Sequence, residues 1–160
     1  MLQDLKEKVK ASGDDLFLLA QELLETAWDG RIKLYVISRT LNFRRQHPDL
    51  FLKGGYVPLE AAGETKSHVL AFMRRLGNET ILVGVPRLVV GLTRGIEKPP
   101  LGDDVWKDTW LQLPGEERGV HYRDLFTGRT FVVEERGEEG GLLLSKIFDT
   151  FPVAFLERIG

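Results

Sequence analysis

The side chains able to do chemistry are spread thinly along this chain. His47, His68 and His121 are its only histidines. They stand far apart and form neither an HxxH nor an HExxH pattern, so their spacing makes no zinc site and they read as surface or hydrogen-bonded side chains. Hydrolysis of a glycosidic bond needs two carboxylates held across it. Asp103, Asp104, Asp108 and Asp124 offer such groups, but nothing in the sequence around them argues for burial. The acidic run Glu134 to Glu139 lacks the alternating Asp/Asn ligands and closing Glu of an EF-hand loop, and reads as a solvated loop. Gly137, Gly140 and Gly141 do not have the spacing of a phosphate-binding loop, and Ser38, Ser67 and Ser145 sit in no GxSxG turn. The absence of cysteine excludes disulfides and thiolate metal sites. What remains is stacking. Trp106, Trp110 and Tyr122 lie near one loop, and aromatic faces pack well on the apolar C–H faces of sugar rings, as they do in protein cores. They are the candidate sugar contacts. No residue is assigned to catalysis, to a cofactor or to a metal.

The bulk properties narrow the partners. With 160 residues the chain makes one domain, or one domain and an appendage. Its 42% hydrophobic and 29% charged residues are ordinary for a folded protein. A net charge of −2 gives no general pull toward nucleic acid or an anionic membrane. The pairs Arg44-Arg45 and Arg74-Arg75 are isolated and read as solvated faces. No apolar run approaches the roughly 18 residues of a membrane span. The opening MLQDLKEKVK lacks the apolar core of a signal peptide, so a cytoplasmic location is expected.

The elements that must position these residues fall into two groups. Met1 to Lys10 and Leu16 to Trp28 have helical spacing. Asp29 to Phe51 reads as a helix that starts at Asp29-Gly30 and is stopped by Pro48. It is apolar on two sides. At about 100° per residue, Ile32, Val36 and Phe43 share one face and Leu34, Ile37 and Leu41 the opposite one. Such a helix expects neighbours on two sides. After Phe51 the period changes to two. Strands are expected at Tyr56–Ala61, His68–Arg74, Thr80–Val85, Leu88–Leu92, Thr109–Leu113, Val120–Leu125, Arg129–Glu134 and Val153–Ile159. Thr80–Val85 is apolar on both faces and should be central. Gly115–Arg118 reads as a polar turn, Glu134–Gly141 as a loop and Ser145–Thr150 as a helical turn. Helices segregated before short strands predict an α+β fold, with a helical segment over 1–51 and an antiparallel sandwich or barrel over 52–160; the resemblance described next implies the β-sandwich.

A set of motifs adds a resemblance. Trp28-Asp29-Gly30-Arg31-Ile32-Lys33 is similar to W-x-D-G-R-[IV]-K, without the residue between Trp and Asp. Arg44-Arg45-Gln46-His47-Pro48-Asp49-Leu50-Phe51 is similar to R-R-x-x-P-x-L-F. Val69 to Arg74 resembles a strand ending A-F-x-R, and Pro86-Arg87-Leu88 a P-R-L after a Val-rich strand. Trp106 to Pro114, Tyr122-Arg123-Asp124-Leu125-Phe126-Thr127-Gly128 and Leu144 to Leu156 follow in order. Together they resemble the C-terminal region of maltooligosyl trehalose synthases, of the α-amylase superfamily, across nearly the whole chain.

The resemblance implies a layout and an activity for the parent. A catalytic (β/α)₈ barrel with three carboxylates precedes a β-sandwich. The enzyme, an isomerase of trehalose biosynthesis, turns the reducing-end α-1,4 linkage of a malto-oligosaccharide into an α,α-1,1 linkage without a cofactor. The present chain matches the last barrel helices and the sandwich, and none of its positions corresponds to a catalytic carboxylate. Three roles are therefore expected: a non-catalytic C-terminal portion of such a synthase, a stand-alone sugar-binding sandwich, or an interaction module completing a barrel supplied by another chain. The expected partners are malto-oligosaccharide, a barrel-bearing chain, or a second copy. With no barrel present, Ile32, Val36 and Phe43 form the expected self-association face of a dimer through the N-terminal helices.

Overall fold

The computed structural model describes residues 1–160. It begins with helices α1 (Leu2–Ser12), α2 (Phe17–Glu25) and α3 (Arg31–Gln46), with a 3-10 turn at Ala27–Asp29 between the last two. Asp29 holds the entry to α3. Its Oδ1 accepts the Arg31 amide at 2.8 Å and its Oδ2 accepts Arg31 Nε at 2.7 Å. Gly30, at φ 80°, makes the left-handed bend between the turn and the helix. Pro48 ends α3 as expected, but it also opens α4 (Pro48–Lys53). The first helical position has no use for an amide proton, so proline fits there.

The strands form two antiparallel sheets. β1 (Gly55–Leu59), β3 (Val69–Leu76), β4 (Glu79–Pro86), β10 (Ala154–Ile159), β6 (His121–Asp124) and β7 (Thr130–Val132) lie side by side in that order. The second sheet runs β2 (Ala61–Ala62), β5 (Trp110–Leu113), β9 (Glu139–Leu143), β8 (Glu134–Arg136). Short helices α5 (Val89–Leu92), α6 (Asp103–Trp106) and α7 (Leu144–Ile147) close the connections. The α+β architecture is as expected, and the two-sided apolar strand Thr80–Val85 is indeed central.

Two expectations fail locally. Leu88–Leu92 is a helical turn, because a further strand would need a free edge and β4 already pairs with β3 and β10. Glu134–Gly141 is a hairpin of β8 and β9. Its alternation is hidden by Gly140 and Gly141, where a Cβ would meet Val133 Cγ1 at 2.6 Å and the Trp110 ring at 2.7 Å.

The alternation of β4 and β10 divides the apolar residues into two cores. Leu82, Ala154 and Leu156 point between the sheets and join Trp106, Leu111, Leu113, Tyr122 and Phe148. Ile81 and Phe155 point the other way and join Leu5, Leu19, Leu23, Tyr35, Phe43 and Phe151 under the helices. Helices, six-stranded sheet and four-stranded sheet thus stack as three layers. Tyr35 fixes the helical layer, its hydroxyl donating to the Phe126 carbonyl at 2.7 Å. Burial pushes that phenol well above the ordinary tyrosine range. No helix is long and apolar enough to cross a membrane.

Candidate functional site

Two concave regions flank α3. The first is polar. Arg39, Asn42, Gln46 and His47 descend one side of α3, as positions three and four apart do. Facing them are Asp14 from the α1–α2 turn, Arg123 from β6 and Glu157 from β10. The space between has a volume of about 420 Å³. Its walls are fixed. Arg39 donates Nε and Nη2 to the Leu125 carbonyl at 3.2 and 3.0 Å. Gly128, at φ 74°, lets the Asp14 carbonyl approach so closely that a Cβ would sit 2.1 Å from it. Phe43 and His47 stack with ring centroids 4.2 Å apart.

Asp124 also lines this pocket, though its side chain is buried. Burial pushes its carboxyl up to about 6, against the hydrogen bonds it receives from Thr127 and from the Phe155 and Phe126 amides. A raised carboxyl beside a second carboxylate, Glu157, has the chemical profile of an acid–base pair. Geometry assigns Asp124 a different task. Its Oδ2 accepts the amide and hydroxyl of Thr127 at 3.1 and 2.7 Å, and its Oδ1 accepts the Phe155 amide at 3.2 Å. Both oxygens are spent on closing the 124–128 turn and tying it to β10.

The second region is apolar. A groove of about 280 Å³ runs between α3 and the six-stranded sheet, lined by Val36, Phe51, Phe72, Val83, Phe126 and Phe155 among others. The register puts Tyr56 and Leu70 on the same sheet face, paired with Arg74 and Val85, and they are 57% and 48% exposed. Arg74 edges the groove and donates to the Phe51 carbonyl at 2.7 Å.

The residues singled out from the sequence fall elsewhere. Trp106 is fully buried, tilted against Phe148 with centroids 4.9 Å apart, and its Nε1–H donates to the Pro100 carbonyl at 2.7 Å. Tyr122 is fully buried, and its hydroxyl donates to Glu117 Oε2 at 2.7 Å. Neither offers a face to a sugar in solvent, because the inter-sheet core needs large side chains where the sequence places them. Trp110 is half-buried with the Arg136 guanidinium 5.4 Å from its ring centroid. The proposed association face is also turned inward. Phe43 is buried, and Ile32 and Val36 pack against the helix-side core, because that face meets the sheet. Val36 alone of the three lines the open groove. On α3 the outward apolar residues are Ile37 and Leu41, 45% and 57% exposed.

Sequence reasoning missed Glu117, read as part of a polar turn and in fact fully buried between Arg75, Tyr122 and Arg158. It also missed the stripe Arg39, Asn42, Gln46, which helical spacing alone would have found. His47, His68 and His121 converge on no common point, and no cluster of metal-ligating side chains forms.

The chain thus lays helices on an antiparallel sandwich, with an apolar groove open beside α3. No family model matches the chain. Over 126 residues, 79% of its length, it is 42% identical to proteins of two Mycobacterium tuberculosis strains named "Putative maltooligosyl trehalose synthase". A solved variant of maltooligosyltrehalose synthase from Arthrobacter ramosus superposes with a TM-score of 0.59 and 26% identity over 89% of the chain. The chain is therefore homologous to a portion of maltooligosyl trehalose synthase. It spans 14% of the length of those curated relatives and 17% of the solved one.

Proposed function

We propose that this chain serves as a non-catalytic portion of a maltooligosyl trehalose synthase-like protein, its helical layer and sandwich seating against a catalytic barrel. The activity of that larger protein would be intramolecular transfer that converts malto-oligosaccharide ends to trehalosyl ends. The observation that supports this reading is the apolar groove between α3 and β3–β4. It is lined by Val36, Phe72 and Val83, with Phe155 at its floor, in a chain whose relatives are several times longer. An apolar surface of this kind marks a place where protein packs. The one carboxyl pushed strongly upward, Asp124, spends its oxygens on Thr127 and on the Phe155 amide.

Incubation of the chain with maltopentaose, followed by assay for non-reducing product, tests the reading. No turnover is expected from the chain alone. Turnover abolished by Asp104→Ala or Asp124→Ala would overturn it. A second reading, a two-fold dimer, is favoured by Ile37 and Leu41 on the outer face of α3. Light scattering over a dilution series separates the two.

A further inference from the structure

A further concavity lies at the opposite edge of the six-stranded sheet from β1, where the two sheets part. Residues 130–136 run as one stretch that changes sheets at Val133. Its first part is β7, the last strand of the six-stranded sheet, and its second part is β8, the last strand of the other. The β8–β9 ladder therefore stops at Glu134 opposite Gly141, and Leu142 and Leu143 of β9 have no strand beyond them on that side. Between β7 and these two leucines a cleft of about 320 Å³ opens, with α7 at its end. Phe131, Leu142 and Ile147, all buried, make its floor. Its rim carries matched charges: Arg129 is paired with Asp149, and Lys146 with Glu134 at 2.8 Å.

The β7 wall carries backbone groups aimed outward. The Asp124 amide donates to the Arg129 carbonyl at 2.8 Å, and the Val133 amide to the Val120 carbonyl at 3.0 Å. Antiparallel ladders alternate, so Arg129, Phe131 and Val133 turn toward β6, and Thr130 and Val132 turn their amides and carbonyls away from it. No strand lies beyond them. Such an edge is a template for a further strand, and proteins blunt it with charge, proline or shortness. The other edges are blunted in these ways: β1 contains Pro58, every residue of β8 is charged, and β2 has only two residues. β7 has neither charge nor proline, and Val132 is 46% exposed. We propose that the β7 edge and the cleft beneath it receive an extended peptide segment of a partner protein. The segment pairs antiparallel with Thr130 and Val132 and lowers alternate aliphatic side chains onto Phe131, Leu142 and Ile147. Charge complementarity fixes its type. The floor is apolar and both rim cations are already matched by carboxylates, so an uncharged segment fits, while a charged one loses hydration and gains no counterion. β10 and β6 separate this edge from the β3–β4 side on which the α3 groove opens, so the site does not depend on the chain seating against a barrel.

The probe is the synthetic peptide acetyl-Val-Thr-Val-Thr-Val-amide, titrated into the full chain and followed by NMR. The backbone amides of Thr130, Val132 and Leu143 should shift, with a Kd on the order of 1 mM or below. When the valines face the floor, the threonine amides face β7. N-methylation of both threonines should therefore weaken binding at least about tenfold. Val132→Pro removes an outward amide and leaves the β6 ladder intact, and should weaken binding as much. Val132→Lys, at an exposed position, keeps that amide but places a charge on the edge, and should also weaken binding if the proline variant folds poorly. Equal binding of the methylated peptide, or unchanged affinity in the lysine variant, would overturn the proposal. So would shifts centred on Val36 and Phe72 in the α3 groove, or no shift at about 10 mM peptide. Shifts at Thr130 and Val132 that appear on concentrating the chain without peptide would assign the edge to a second copy instead, and would overturn it too.

Discussion

The two faces of the six-stranded sheet are finished differently. On the sandwich face the large central side chains have neighbours: Trp106 on Phe148, Tyr122 on Glu117, Leu82 and Leu156 beneath Leu111 and Leu113. On the helix face the layer covers β10 and part of β4, then stops. Phe72 and Val83 line an open groove, and Tyr56 and Leu70 meet solvent. The same alternating strands built both faces, so the strands do not account for the difference. What differs is how much chain is available to lie across them. A second sheet spans one face, while α1 to α3 and the short α4 span only part of the other.

This contrast can be broken or sharpened by substitution. The largest effect belongs to the closed face. Trp106→Ala should destabilise by about 3–5 kcal/mol, since it empties a packed site and orphans the Pro100 carbonyl. Tyr56→Ser on the open face should change stability by no more than about 0.5 kcal/mol. Urea unfolding of both variants decides it, and equal losses would mean that the open face is not open.

A pH effect comes next. Asp124 has its pKa raised to about 6 in the folded state, against 3.8 as its ordinary value. Between those values the folded chain retains a proton that the unfolded chain has released. Its contribution to stability is therefore greatest near pH 4, falls as pH rises to about 6, and is constant above. At about 1.4 kcal/mol per unit this amounts to roughly 3 kcal/mol. Glu22, Asp29, Glu116 and Glu134 are shifted downward, chiefly by hydrogen bonds from Lys8, Arg31, the Glu116 amide and Lys146 respectively, so their contributions are lost only at more acid pH. Urea midpoints from about pH 4 to about pH 7 should fall more steeply for the natural chain than for Asp124→Asn.

A smaller effect tests the polar bond inside the closed face. Tyr122→Phe leaves Glu117 Oε2 without its donor and should cost about 1–3 kcal/mol by thermal unfolding. The smallest belongs to the outer surface of α3. Ile37→Ser with Leu41→Ser should shift unfolding by about 0.5 kcal/mol or less, yet should abolish any concentration-dependent association seen by light scattering.

Legibility in the sequence follows the same division. The helices, the strand His68–Arg74 and the central strand at Thr80 are readable because apolar spacing acts locally. Glu134–Gly141 was unreadable as strand because two glycines yield their places to Val133 and Trp110, residues that meet them only in the fold. Trp106 and Tyr122 could be flagged as aromatic, but which side of a sheet they enter depends on a register set far away in the chain. Which apolar face of α3 turns inward was likewise undecided locally. Phe43 goes in because Phe155 stands opposite, at 4.9 Å between centroids. The polar stripe of Arg39, Asn42 and Gln46 was visible as spacing, but its partners Arg123 and Glu157 reach it only through β6 and β10.

The position of β10 has a consequence for the order of assembly. It lies between β4 and β6 and pairs with both, Gly84 with Ala154 and Asp124 with Leu156. The hairpin of β3 and β4 closes over a two-residue turn and can form early. Its other edge must stay unpaired until a strand distant along the chain is inserted, and so must the edge of β6. Closing such loops is slow compared with local pairing. Pulse-labelled hydrogen exchange should therefore show β3–β4 amides protected first and β10 amides last, with the two halves of the sheet joining in one late step.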